Sequence, residues 1–261
     1  MKVLFITQND PFYVRELFEE ILKVHPRRDH IAGIVVAPAM GKKSLLGLVK
    51  QMWGFFGPLN FVRQGVRFVF YKVAAKLPRA LLGGRVFSIE QTGAAHGVAV
   101  HHVPDLNAPE FVEWVRTEGI DVIASVAAPQ IFRAPLIRAP RLGCINIHNS
   151  KLPRYRGMLP NFWQMYSGEP SVGTSVHRIN EKLDDGAILA QTESPIEKGE
   201  SLEALIRRTK IRGAHLLSRT LLELEAGTVN ELPNPAGEGS YFTFPTPADV
   251  REFRRRGYRL M

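Results

Sequence analysis

Short apolar runs alternate along the chain with segments whose apolar residues recur every three or four positions. The first pattern marks buried strands and the second amphipathic helices. Residues 2–7 read as a strand, and Gln8-Asn9-Asp10-Pro11 as a turn in which Asp10 can cap a helix with Pro11 at its first position. The helix continues to about Lys23, with Val14, Leu17, Phe18, Ile21 and Leu22 at helical spacing, and residues 31–36 form a second strand. Strand, helix, strand at this spacing begins an open parallel sheet. After an interruption the alternation resumes. Residues 86–88 and 98–103 predict strands, 109–118 a helix, and 121–126 a strand of the fully buried kind. Residues 129–132 are a loop or helix start, and 144–148 a strand followed by a long loop. Residues 175–179 and 187–195 predict paired strands, 202–224 a strong amphipathic helix, 239–245 a short strand, and 251–256 a basic helical end. The expected fold is α/β, with a doubly wound, mostly parallel sheet. Residues 1–230 would form the main domain and 231–261 a short C-terminal extension.

The interruption, at about residues 40–85, has a pattern of its own. Leu45, Leu48, Val49, Met52, Trp53 and Phe56 fit one helical face, Gly57-Pro58 breaks it, and Val62, Val66, Val69, Phe70, Val73 and Leu77 fit a second. The expectation is a basic helical hairpin inserted into the α/β pattern. Net charge is +9, yet no acidic residue lies between Asp29 and Glu90, where Lys42, Lys43, Lys50, Arg63, Arg67, Lys72, Lys76, Arg79 and Arg85 fall. These nine account for the whole excess, so the rest of the chain is neutral on balance. Trp53, Phe55, Phe56 and Phe61 flank the break. Residues 42–79 are therefore a candidate surface for an anionic membrane, with a merely solvated helical cap as the plain alternative and nucleic acid ranked below.

No run of about 18 uncharged apolar residues predicts a membrane-spanning helix. The N-terminal apolar run is too short for an export signal and no small-residue cleavage site follows it. With one cysteine, Cys144, the expectation is a cytoplasmic protein, with peripheral attachment to the inner face of the membrane if the basic segment binds lipid.

Two polar residues stand out in an apolar strand. Alternation puts Asn146 and His148 on the same face of Cys144–His148, and such groups are costly to bury unless paired or used. A charged turn, Leu183-Asp184-Asp185-Gly186, precedes a later apolar run. Asn146, His148 and Asp184 are expected to converge. Asparagine can orient a carbonyl oxygen without titrating. Histidine can donate to an oxyanion or move a proton near neutral pH, and a carboxylate can hold the imidazole or receive a proton through water. The set suits attack of an amine on a carbonyl carbon, although a buried structural role for His148 fits the pattern equally well. Neither Ser150 nor Cys144 has the setting of an enzyme nucleophile.

Residues 146–160, N-I-H-N-S-K-L-P-R-Y-R-G-M-L-P, resemble the N-x-H-x-S-x-L-P-x-Y-R-G-x-x-P signature of the folate-dependent formyltransferases, which act on methionyl-tRNA, glycinamide ribonucleotide or amino sugars. Residues 183–189, L-D-D-G-A-I-L, are similar to the family's L-D-x-G-x-I-L, and 121–132 resemble its pterin-holding strand and loop. Asn149 stands where the family usually has Pro. The resemblance implies a Rossmann-like formyltransferase domain, 10-formyltetrahydrofolate as donor and no metal. It further implies that Asn146 binds the formyl oxygen, that His148 stabilises the tetrahedral oxyanion, and that Asp184 orders a water for proton transfer. Pro129, Gln130, Ile131 and Phe132 would present backbone groups and apolar surface to the pterin, with Asn180, Glu181, Lys182 and Leu183 as the facing loop.

The acceptor is less constrained. The Thr7–Pro11 turn lacks glycine and carries Asp10, which argues against a phosphate held there. The tail after Leu224 is too short for the extra β-barrel of the tRNA enzymes. A small amine acceptor, an amino sugar or sugar nucleotide, is therefore expected, with methionyl-tRNA or a membrane-associated amine as alternatives. A non-catalytic folate-binding relative is the reading from another class. Oligomeric state is left open.

Overall fold

The computed structural model describes residues 1–38 and 45–261; Lys42 and Lys43 lie outside the described residues. In chain order the elements are β1 (Val3–Gln8), α1 (Tyr13–Val24), β2 (Ile31–Ala37), α2 (Leu45–Ala74), α3 (Ile89–His96), β3 (Val100–His102) and α4 (Pro109–Thr117). Then follow β4 (Val122–Val126), α5 (Ala134–Ile137), β5 (Cys144–His148), β6 (Arg156–Gly157), α6 (Pro160–Tyr166), β7 (Ser171–Arg178) and β8 (Ile188–Pro195). The chain closes with α7 (Leu202–Ala226), β9 (Tyr241–Phe242) and α8 (Pro247–Arg255).

Seven strands form one twisted sheet in the order β3-β2-β1-β4-β5-β7-β8. The first five are parallel, and β7 and β8 complete the edge antiparallel. The order reverses between β1 and β4, so helices leave those strands toward opposite faces. In doubly wound sheets a crevice opens at the strand C-termini where this happens. Period-two alternation builds both cores. Val3 and Phe5 pack with Leu17, Phe18 and Leu217 from α1 and α7, while Leu4 and Ile6 pack with Phe111, Val112 and Val115 of α4. α1 starts at Tyr13, with Phe12 at its N-cap, two residues later than expected; Asp10 still serves its entry, its Oδ1 accepting from the backbone N–H of Phe12 and Tyr13 at 2.7 and 3.1 Å.

Three further local expectations are corrected. Residues 86–88 form no strand; Ser88 instead caps α3, its Oγ accepting from Gln91 N at 3.1 Å. A buried Phe and Ile around a capping serine imitate a strand over so short a window. The loop after β5 contains α6, started by Pro160 and anchored by the fully buried Phe162. The strand expected from residue 175 begins at Ser171. The basic insertion is helical from Leu45 to Ala74 but broken at Gly57, whose φ of 72° and ψ of 170° lie outside the helical range. No helix among the described residues is long and apolar enough to cross a membrane.

Residues 231–261 run back over the body. Leu232 pairs with Ile188, β9 pairs with β6, and Arg259 pairs with Ser201. Val250 and Phe253 of α8 join a third apolar cluster with Phe55, Phe162, Leu202 and Leu205. Phe253 is fully buried, its ring 4.6 Å from Phe162 and nearly parallel to it. Phe253→Ala should therefore destabilise the whole fold by about 3–5 kcal/mol, seen in urea as a lower midpoint with one transition and an unchanged slope. A separate early transition, or no shift, would show that the C-terminal stretch is not part of the cooperative unit.

Candidate active site

At the C-terminal ends of β1, β4 and β5, a cavity of about 630 Å³ is lined by Asn146, His148 and Asp184 together with Gln8, Asp10, Tyr13, Pro129, Asn149, Leu183, Lys210 and Phe244, among others. Clefts also lie beside β3 and between α7 and β8, but neither is lined by the three predicted residues. The volume is within the usual range for a small-molecule site.

His148 is buried at the end of β5. Its Nε2–H donates to the Tyr155 carbonyl at 3.0 Å, which leaves Nδ1 as the free ring nitrogen, 3.8 Å from Asp184 Oδ1. Burial lowers the imidazole pKa; the Asp184 carboxylate and the Tyr155 carbonyl act the other way without reversing it. His148 is thus neutral near pH 7, with a lone pair on Nδ1.

Burial alone would raise the pKa of Asp184, but His148, His177 and the Gly157 N–H outweigh it and bring the carboxyl down to about 2. Its Oδ2 accepts from Gly157 N at 3.0 Å. Asp184 sits at φ +50°, a conformation that a short polar residue tolerates better than most. The turn is held from outside. Arg156 bonds Asp185 Oδ1 at 2.7 Å and the Asn234 side chain at 2.9 Å, and Asn234 Nδ2 donates to the carbonyls of Asp184 and Gly186. Gly186 is required because a Cβ there would lie 2.0 Å from the Arg178 carbonyl.

Asn146 faces His177 across the β5–β7 pair. His177 Nδ1–H donates to the Arg178 carbonyl at 2.7 Å, so its Nε2 accepts from Asn146 Nδ2 at 3.1 Å. These partners fix the ring's tautomer. One Asn146 N–H is thereby used, and its second N–H and Oδ1 remain for a ligand. His177 Nε2 also lies 3.6 Å from Asp184 Oδ1, which makes His177 a close neighbour of both predicted residues, hydrogen-bonded to Asn146.

Sequence reasoning missed His177 and Lys210. A histidine among the buried residues of β7 was the available signal for the first. Lys210 comes from α7, four residues after Ile206, and both line the cavity. It is half-buried; burial makes its ammonium easier to deprotonate, and the Asp10 carboxylate opposes that.

The residues expected to hold a pterin divide. Pro129 and Leu183 line the cavity. The Gln130 amide is occupied elsewhere, donating to the carbonyls of Pro38 and Pro104 and accepting from Leu106 N. Phe132 packs in the core under α4, and the Ile131 side chain is exposed. Asn180, Glu181 and Lys182 are exposed on the loop leading to Leu183. Asn149 and Asn161 also line the cavity, and the buried Oδ1 of each has no partner among the described residues. Acceptors of this kind on a cavity wall fit a ligand rich in N–H and O–H donors.

A family model for formyl transferases matches residues 85–221. A methionyl-tRNA formyltransferase from Lachnospira eligens is 38% identical over 165 residues, 63% of this chain and 52% of that protein. The chain spans about half the length of the curated relatives it matches. Among solved structures, a sugar N-formyltransferase from Shewanella sp. superposes with a TM-score of 0.58 at 19% identity, over 93% of this chain and 77% of that one. A phosphoribosylglycinamide formyltransferase from Anaplasma phagocytophilum gives a TM-score of 0.60 at 13% identity, over 93% and 98%. At such identities these two likenesses establish a shared fold.

The low Asp184 pKa has a consequence for acid stability. A carboxyl at about 2 in the fold and 3.8 when free stabilises the fold above pH 4, and the stabilisation is lost as pH falls through 2. Asp184→Asn keeps an acceptor for Gly157 N but does not titrate. Between pH 4 and pH 2 the wild type should lose about 2 kcal/mol more stability than Asp184→Asn, measured by urea unfolding across that range. Parallel curves for the two proteins would refute the assignment.

Proposed function

The chain belongs to the formyl transferase family, and from that membership we propose that it transfers a formyl group from 10-formyltetrahydrofolate to the primary amine of a small acceptor, an amino sugar or sugar nucleotide. The observation that carries the reading is the meeting of Asn146, His148 and Asp184 in one cavity at the strand ends. The donor supplies a formyl carbon as electrophile. The cavity suits it: its lining includes free polar groups of Asn146 and His148, apolar surface from Pro129 and Leu183, and the unpartnered Asn149 and Asn161 acceptors.

Asn146 orients the formyl oxygen through its remaining N–H. As a neutral amine adds, negative charge develops on that oxygen and a proton must leave the nitrogen. His148 Nδ1 is the basic atom at hand, and its Nε2–H is already committed to Tyr155. Once protonated, the same Nδ1–H can donate to the charged oxygen, with Asp184 3.8 Å away to stabilise the imidazolium. Asp184 remains ionised throughout and orders a water through which the proton passes from His148 to N10 of the donor as the C–N10 bond breaks, so that tetrahydrofolate leaves as the neutral amine and His148 returns to its neutral form. No enzyme nucleophile is needed. Cys144 fits this: it is buried, and burial pushes its thiol pKa well above the usual range.

The second reading is transfer to methionyl-tRNA, favoured by the sequence identity to the Lachnospira enzyme. Incubation with 10-formyltetrahydrofolate and a panel of nucleotide-linked amino sugars, free amino sugars and methionyl-tRNA, following release of tetrahydrofolate, separates the two readings. Turnover is expected with a sugar amine. Turnover with methionyl-tRNA alone would select the second reading, and binding of the donor with no tetrahydrofolate released in the presence of any acceptor would leave a folate-binding protein. With the productive acceptor, Asn146→Ala and His148→Ala should each lower kcat by roughly 10²–10³, the usual size for loss of an oxyanion donor. Near-wild-type turnover in either variant, with circular dichroism unchanged, would refute the residue roles.

A further inference from the structure

The apolar stripes of the basic insertion do not all face the protein. On the second stretch of α2, the inward side is Gln64, Arg67, Tyr71 and Ala74. Arg67 bonds Glu203 at 2.7 Å, and the Tyr71 ring meets Phe12 at 5.2 Å. At about 100° per residue, the opposite side is Val62, Val66, Val69 and Val73, which are 59%, 66%, 61% and 56% exposed. The first stretch repeats the arrangement. Phe55 is buried against Phe162 and Phe244, while Leu46, Val49 and Trp53 stand exposed. Two helical stretches thus each present an aliphatic stripe to solvent at spacings of three and four residues, although the stripes are regular enough to have formed a core.

Charge identifies what covers them. Lys50, Arg63, Lys72 and Lys76 flank the stripes and are exposed, and no acidic residue occurs from His30 to Ile89. A second copy of this chain, meeting the first through a two-fold contact, would oppose these basic residues to themselves. A nucleic acid would satisfy the charges but leave valine and leucine against phosphate. An anionic lipid surface satisfies both, with phosphate headgroups at the basic flanks and the aliphatic stripe at the acyl boundary. We propose that the outward face of α2 docks this protein on an anionic membrane surface. The docked element adjoins the candidate site, since Phe55 contacts Phe244, which lines the cavity.

The test is co-sedimentation of the full chain with sucrose-loaded vesicles of phosphatidylcholine alone, and of phosphatidylcholine with phosphatidylglycerol, at low and high salt. Binding to the anionic vesicles at low salt is expected to exceed binding to neutral ones by at least tenfold and to weaken as salt screens the flanks. Val62→Asp with Val69→Asp, both at exposed positions, should reduce that binding by about tenfold or more while leaving circular dichroism and thermal unfolding unchanged. No pelleting with anionic vesicles at low salt would overturn the proposal. So would pelleting that the double variant leaves intact, which would mean charge adherence without the apolar face. A wild-type dimer that the double variant converts to monomer, with no vesicle binding, would assign the face to a second copy instead.

Discussion

Three consecutive residues after β5 hold both halves of the site. The Tyr155 carbonyl accepts from His148 Nε2, the Arg156 guanidinium grips Asp185, and the Gly157 N–H donates to Asp184. His148 lies on a strand and Asp184 on a turn 36 residues later, so nothing local fixes their separation. The short segment bonds to each and sets the distance between them. It also assigns their protonation. With Nε2–H committed to a carbonyl, only Nδ1 of His148 can exchange a proton, and the bond from Gly157 helps to keep Asp184 ionised.

That arrangement requires unfavourable backbone. Among the described residues, those other than glycine with positive φ are Ala127, Tyr155, Leu159 and Asp184. Three line the cavity, and the fourth supplies the carbonyl on His148. Each such conformation costs on the order of 1–3 kcal/mol and persists only where surroundings over-determine it. The surroundings here come largely from the C-terminal stretch. β9 pairs with β6 at Arg156 and Gly157, Ser240 bonds the Tyr155 N–H, and Asn234 brackets the Asp184 turn. Gly157, at φ +96°, allows the close contact, since a Cβ there would lie 2.2 Å from the Phe242 carbonyl. Behind it, Phe162 stacks on Phe253 and Trp163 on Phe242, the two pairs meeting edge to face through Phe162 and Trp163. The segment that reads as a short extension therefore braces the loop that orients the site.

What the sequence made legible follows from the range of the forces involved. Short apolar runs revealed β1, β2, β4 and β5, because each is buried at nearly every position. Asn146 and His148 stood out for the same reason, as polar groups in a strand where burial demands an explanation. His177 did not, because its importance comes from the antiparallel register that places it opposite Asn146. Lys210 was invisible too: one lysine in a basic-rich helix gives no sign of whether it meets solvent or a cavity. The stripes of α2 were legible as helical but not as outward-facing. Periodicity reports that a helix has an apolar side and is silent on what that side meets.

The charges gathered in the cavity bear on the acceptor. Asp184 and Asp10 bring two carboxylates, and Lys210 one ammonium that burial makes easier to neutralise. A phosphate placed deep in this space would face both carboxylates with one weakened cation to offset them, a poor balance at low dielectric. An amine is the better guest. On the proposed reading it can approach as a cation attracted by the carboxylates and sheds that first proton to water before it attacks. The neutral His148 Nδ1 beside Asp184 is then free to take the second proton, released on addition, which is stabilised by the same carboxylate that drew the amine in.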